Sequence, residues 1–474
     1  MDLAIRHARL VTFREGRPNV VEEGTVGVRD GTIVYVGPDD GFEGGAEREF
    51  DGSGHIVLPG LVDAHVHMGL TLLRGGAQDV PEIEWMNRAL GPLARHMTDE
   101  DLITGAKLGV LEGMRSGVTT FGEYASDVGR LVEHVYEPWG VRVAATETIN
   151  AISKDRDGLG PDDPYPFDYE KGKAMLDRAN VLADSYEDSD LVTPMYGPQA
   201  LDMVPMEILE AAFENAATRG LRVHVHVAQG RRERLQIQAR YGADASTVEV
   251  LADHGFLNDS LVAVHCHDAS PPERELLAQS GASYIGCPSS IAAIDGVTPP
   301  VEWFRERDVP VGLGTDQAPG PGGHDMLREV RTAALLSKTV HADPTALPAW
   351  HALGVATVGG ASALGLDDQI GSLEVGKRAD LVLVDASDLG LAPAVSRPFS
   401  TAIPNLAYSA TSSAVDAVVI DGEFVIEDGE FVDIDQSAVV AEANERAARV
   451  FEAGEEDWRS ADSSLVDRAA EGWL

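Results

Sequence analysis

The sequence predicts an α/β protein: a (β/α)8 TIM barrel carrying a small β-sandwich domain built from both chain ends. Three observations carry this. Eight short apolar runs bounded by turn signals recur between Leu61 and Thr315. Helix-like stretches separate most of them, the alternation of a parallel, helix-covered sheet. Polar groups suited to chemistry sit at the C-terminal ends of several runs, the face on which a barrel builds its site.

Residues 1–57 are short strand-like pieces broken by turns, among them Val26–Gly37 with Asp30-Gly31 as a hairpin signal. They form the first part of the sandwich. His55, just before the barrel, has no evident partner. The barrel spans 58–370. Its strands are read at Leu61–His67, Val118–Tyr124, Val141–Thr148, Leu191–Gly197, Arg222–Ala228, Leu261–His267, Ala282–Cys287 and Val309–Thr315. Met206–Arg219, Ser246–His254 and Pro272–Ser280 read as helices between them. From Leu61 to Thr315 the alternation covers roughly 250 residues, a typical barrel length. Residues 371–435 return to strand-like patterning, with Asp380–Asp385, Val415–Ile420 and a second hairpin signal at Asp421-Gly422. They complete the sandwich. Residues 436–474 are a helical tail, frayed at its end.

Side chains alternate along a strand, so His65 and His67 point the same way at the end of the first run. Neutral imidazole is a good ligand for a divalent transition metal, and two on one rigid strand are nearly positioned already. His224 and His226 repeat the spacing on the fifth run, and His265 and His267 on the sixth. Asp316 ends the eighth. His224, one layer below His226, reads as a structural group rather than a ligand. His7, His96, His134, His254, His324, His341 and His351 read as surface or loop residues.

These motifs resemble the amidohydrolase superfamily, in the subgroup of cytosine deaminases, guanine and S-adenosylhomocysteine deaminases and triazine hydrolases. Leu58–His67, Thr71–Gly75, Gly117–Thr120, His224–His226, Val264–Cys266, Gly312–Asp316 and Ile370–Leu383 carry the resemblance. It implies that His65, His67, His226 and Asp316 bind one divalent ion, Zn2+ ahead of Fe2+, and that His265 meets the metal's water or the substrate. Binuclear relatives bridge their metals with a carboxylated lysine on the fourth strand. Leu191–Gly197 has no lysine, so a mononuclear site is expected. A bound ion lowers the pKa of water from ~15.7 to about 7. Asp316 would then take the water's proton, and His265 would stabilise the charge that develops on attack.

One position departs from that pattern. Family deaminases carry a glutamate three residues after the strand-five histidine, where this chain has Gln229. An amide hydrogen-bonds but does not shuttle a proton at neutral pH. Gln229 is therefore read as a substrate-binding group in the catalytic set with Asp316 and His265, and Glu233 as a candidate replacement acid. Ala94 and Gln199 stand where adenosine-type deaminases carry glutamate and histidine, which favours a smaller amino-heterocycle over a nucleoside. Gln199, Gln317, Trp85, Tyr124 and His267 are candidate substrate contacts. The Gly/Pro-rich loop 318–324 is a candidate substrate loop. It lacks the lysine and helix of a phosphate-binding loop.

The expected function is hydrolytic deamination of a small amino-heterocycle by metal-activated water. The alternatives are a cyclic amidase or dehalogenase of the same superfamily, or a non-catalytic metal-binding homologue.

Composition bears on partners. The chain has 78 acidic against 37 basic residues, a formal net charge of −41, and six lysines. The acids are spread along the chain, a pattern of salt-in halophiles. The charge excludes nucleic acid as a partner. No apolar run approaches the ~20 residues of a membrane helix, and the start of the chain lacks the pattern of a signal peptide. Cytoplasmic residence is expected, and the resemblance implies a dimer or tetramer. Cys266 and Cys287 are read as small core residues and form no disulfide framework.

Overall fold

The computed structural model describes residues 1–14, 17–154, 163–320 and 322–474. The eight barrel strands are β1 (Leu61–Val66), β2 (Val118–Ala125), β3 (Arg142–Ile149), β4 (Val192–Pro198), β5 (Val223–Val227), β6 (Leu261–His265), β7 (Ser283–Gly286) and β8 (Val311–Leu313). Each lies on one of the eight apolar runs. Their residues are almost all buried, as expected for parallel strands covered on both faces.

The strands pair in parallel in chain order from β1 to β8. Two backbone hydrogen bonds just past β8 join the ends. Asp316 N–H donates to the His65 carbonyl at 2.9 Å, and His67 N–H to the Asp316 carbonyl at 2.7 Å. Gly314 permits this closure, because a Cβ there would sit 2.6 Å from the His65 carbonyl oxygen. The seam of the barrel therefore fastens two candidate ligands directly to a third.

The connecting helices obey local rules. Thr98 and Asp101 form a reciprocal capping box at the start of Asp99–Arg115. Met206–Arg219 ends at Gly220 with φ 67°.

Both chain ends form one nine-stranded mixed sheet. Its order runs from Glu430–Phe431 through Glu423–Glu427, Val415–Ile420, Leu381–Asp385, His55–Pro59, Leu3–Arg14 and Arg17–Arg29 to Thr32–Pro38, with Arg48–Asp51 also on Leu3–Arg14. The expected sandwich is thus one continuous sheet that curls over. Ile5, Val28 and Ile33 from one end share a core with Ala417, Val419 and Phe424 from the other. Asp30-Gly31 and Asp421-Gly422 turn hairpins with positive φ at both positions, and Asp428-Gly429 turns a third. His55 has a partner after all, with Nε2 2.8 Å from Asp416 Oδ2.

The sheet is tied to the barrel by a buried ion pair: Arg142, at the start of β3, donates to Asp380 at 2.7 and 3.1 Å. The tail is helical at Gln436–Ser460 and Ser464–Ala470, with residues 471–474 exposed. It docks on the barrel, where Arg446 and Arg449 both reach the buried Asp101. Ala94 packs in the apolar cluster that this tail shares with Leu93 and Val450.

Candidate metal centre

The three expected histidine ligands are held from behind, each by a different element. His67 Nδ1–H donates to the Tyr124 carbonyl of β2 at 2.7 Å, and His226 Nδ1–H to the Gln199 carbonyl after β4 at 2.7 Å. His65 Nδ1 lies 3.1 Å from His224 Nε2, and His224 Nδ1 lies 3.1 Å from Thr146 Oγ1 of β3. With Nδ1 engaged in all three, Nε2 is the nitrogen offered inward. His65 Nε2 is buried without a partner among the described residues.

Asp316 Oδ1 lies 3.7 Å from His65 Nε2 and 3.5 Å from His67 Nε2, while Ser290 donates to Oδ2. Donor atoms of His65, His67 and Asp316 fall within 4.8 Å of one another, as do those of His65, His226 and His265. Imidazole nitrogens and a carboxylate gathered this closely, with His65 Nε2 orphaned among them, make a donor set that fits a divalent ion.

Electrostatics favour the ligand form. Burial, then the neighbouring imidazoles, hold His65 well below the usual histidine range and take His226 down to about 3. Neutral imidazole is the species that binds metal. Burial raises Asp316, opposed by His67 and the Ser290 hydroxyl and reinforced by Asp295. Backbone strain gathers here too. Ala228, His265, Cys266 and Asp316, at the ends of β5, β6 and β8, have φ of 48°, 73°, 47° and 64°.

The other candidates divide into those that face the cluster and those that brace it. His265, its ring nitrogens buried and unpartnered among the described residues, stacks on His226 at 5.4 Å. Gln229 is half-buried, and its backbone N–H donates to Glu233. Glu233 also takes the Ala228 N–H and the Thr247 hydroxyl. It holds the turn after β5. Burial and the Asp202 charge push it up to about 7.

A cavity of about 230 Å3 opens beside His67, walled by Leu70, Leu102, Leu131, Tyr124 and Gln199. Tyr124 spends its hydroxyl on the Gly197 carbonyl and packs its ring under His65, His67 and His226. Gln199 Oε1 accepts from Asn150. Trp85 is buried in the cluster under the tail. Gln317 is also buried: it accepts from Gly320 N–H and donates to Ser290 at 3.4 Å, bracing the loop after β8. Within that loop, Pro321 lies outside the described residues. His267 lies 3.5 Å from Asp295.

His324, read as a surface or loop residue, lies in the loop before Met326–His341 and is fully buried there. It contacts Thr71 at 3.0 Å and Thr315 at 2.8 Å, and Thr315 donates to Asp63 at 2.6 Å. Asp63 was the available signal: a carboxylate inside an apolar strand, on the face of His65. The buried Arg232, which reaches Glu82 and Asp202, left no such trace in the pattern.

A closed parallel barrel with imidazoles and a carboxylate converging at its C-terminal mouth defines a metal-dependent hydrolase. The amidohydrolase family profile matches residues 56–425, and the chain belongs to the amidohydrolase family. It is 34% identical over 453 residues to a 5-methylthioadenosine/S-adenosylhomocysteine deaminase of Pelotomaculum thermopropionicum, covering 95% of this chain and 99% of that one. A 5'-deoxyadenosine deaminase of Methanosarcina mazei is 32% identical over 446 residues, covering 94% and 98%. Among solved structures, an adenosine deaminase of Xanthomonas campestris with bound zinc is 32% identical, with a TM-score of 0.85 over 95% of this chain and 98% of that one.

Proposed function

We propose that this hydrolase deaminates an amino-heterocycle, using one divalent ion held by His65, His67, His226 and Asp316, with zinc as the preferred metal. The observation that carries the reading is the set of backside contacts that engage Nδ1 of His65, His67 and His226 and leave Nε2 free in each, with those of His65 and His67 3.7 and 3.5 Å from Asp316 Oδ1. A bound ion would supply a water acidic enough to ionise near neutral pH.

The chain's own residues do the rest. Asp316 takes the proton of the attacking water and passes it to the departing amino group, which leaves as ammonia. His265 hydrogen-bonds the oxygen on which charge develops. Gln229 offers one donor and one acceptor to the ring and cannot supply the proton that a glutamate would. The apolar cavity beside His67 takes the uncharged part of the substrate.

The named relatives act on adenine-type compounds, which puts these first in a substrate panel. Gln199 and Ala94 weigh toward a smaller ring. Gln229 also favours a second reading, hydrolysis of a cyclic amide or a halogenated ring, whose leaving group needs a different proton path. Ammonia release by the zinc-loaded protein in high salt tests the choice, across adenosine, 5'-deoxyadenosine, aminopyrimidines, pterins and aminotriazines. Turnover of any member supports deamination. Silence across the panel, with metal bound and the fold intact, overturns it in favour of the second reading.

The net charge of −41 supports a protein adapted to the cytoplasm of a salt-in halophile. No helix among the described residues is long and apolar enough to cross a membrane. A homo-oligomer is proposed on the family resemblance.

A further inference from the structure

Opposite the apolar cavity, on the half of the barrel mouth formed after β5 to β7, stand two side chains that the chemistry above leaves unused. The His267 side chain is 4% exposed, and both ring nitrogens are buried without a hydrogen-bond partner among the described residues. Asp295 follows the helix Pro288–Ile294, with Oδ2 3.5 Å from His267 Nε2. Unpaired buried ring nitrogens are costly, and at the rim of a site they point to a ligand.

The pair sits beside the reacting centre. The His267 and His265 rings are 6.3 Å apart. Gly230, next to Gln229, has φ 137° and brings the backbone against both residues. A Cβ there would lie 3.5 Å from His267 Nε2 and 3.3 Å from Asp295 Oδ1. The charge of Asp295 is felt at Asp316 on one side and at Glu82 on the other.

We propose that Asp295 and His267 form a substrate subsite that reads the N–H-donating edge of an amino-heterocycle, in place of the carboxylate this chain lacks at Gln229. The inference rests on the deaminase reading and adds which edge of the substrate is held. A carboxylate accepts hydrogen bonds, so the group it selects is the amino group on the carbon under attack. The Gln229 amide offers a donor and an acceptor alongside. No proton changes hands in this contact; it orients the ring. A buried site built for an N–H rejects an analogue without one far more strongly than an apolar pocket rejects a missing methylene.

The test is a double-mutant cycle on the zinc-loaded full chain in high salt, with zinc content and circular dichroism as controls. Asp295→Asn is expected to lower kcat/KM about thirtyfold on the best substrate of the panel. Gln229→Glu should then raise kcat/KM at least about tenfold more in the Asp295→Asn background than in the wild-type background. His267→Asn serves as the second variant. Equilibrium binding gives an independent readout through the fluorescence of 2-aminopurine, with purine as the competitor that lacks the amino group. Asp295→Asn should weaken 2-aminopurine and leave purine unaffected.

Wild-type kcat/KM in both variants, simple additivity in the cycle, equal loss of both probes, or no 2-aminopurine binding by the wild type overturns the inference. Folded, zinc-bound wild-type protein that releases no ammonia from the panel removes the deaminase reading itself. Turnover by the wild type with an unaltered Asp295→Asn variant removes only this subsite.

Discussion

His224 stands directly behind His65, its Nε2 3.1 Å from His65 Nδ1 and its far side on Thr146. This contact fixes the ring of a proposed metal ligand from a strand that is not its neighbour in the barrel. Supports of this kind are worth 10–100-fold, roughly, in metal affinity. His224→Phe fills the space without the contact and should weaken zinc by that factor in a chelator competition. Unchanged affinity would show that His65 needs no brace.

Ser290 donates to Asp316. Hydrogen bonds to charged groups contribute about 1.5–3 kcal/mol, so Ser290→Ala should lower kcat/KM by roughly 10–100-fold with zinc retained. An active Ser290→Ala protein would mean that Asp316 is oriented by the backbone closure alone.

Buried His324 gives the fold a dependence on pH. Burial pushes it down to about 3, from 6.5. Below pH 6.5 the unfolded chain binds a proton that the folded chain refuses until about pH 3, so stability falls as pH falls through that window. The slope for one group is up to ~1.4 kcal/mol per pH unit. Glu123 and Glu329, pushed up to about 7 by burial, act in the opposite sense: the fold holds protons that the unfolded chain releases, and stability falls as pH rises from 4.5 to about 7. Urea titrations of wild type against His324→Gln isolate the histidine. The difference between the two should narrow steadily as pH drops below 6.5. A constant difference would place His324 outside the linkage.

Asp380 answers Arg142 across the boundary between sheet and barrel, and both are almost fully buried. Asp380→Ala leaves a buried guanidinium without its main partner, a change that costs about 3–5 kcal/mol. The denaturation midpoint should drop accordingly. A drop under about 1 kcal/mol would mean that the pair behaves as an exposed one.

A net charge of −41 should make dilute buffer hostile to this protein. At 1 M salt the Debye length is about 3 Å, against roughly 8 Å at 0.15 M. Activity and circular dichroism should both decay below about 0.2 M salt, where the Debye length is still roughly 7–8 Å. Full activity there would sink the halophile reading.

Much of the architecture was legible because it rests on local pattern. Each barrel strand is a short apolar run buried on both faces, and all eight runs appear as strands. The Asp-Gly turns take positive φ as expected. The histidine pairs advertised their strand ends through period-two spacing.

The roles of single polar residues were less legible. His324 looked like a loop residue and is buried, because the chain after β8 folds back under the barrel mouth to meet Thr71 and Thr315. Glu233 looked free to replace an acid and is held by the turn it stabilises. Gln317 looked like a pocket residue and braces its own loop.

The sequence by itself determined the barrel, the sheet assembled from both ends and the residue types at the candidate metal centre, since burial of apolar runs and strand alternation follow from neighbours in the chain. Only the tertiary structure decided which nitrogen each histidine offers, and that Asp295 faces His267. His65 and His224 are 159 residues apart, and their contact exists only once the barrel has closed. A hydrogen bond is directional and short, so its partner is set by where closure brings two strands, a quantity no local pattern contains.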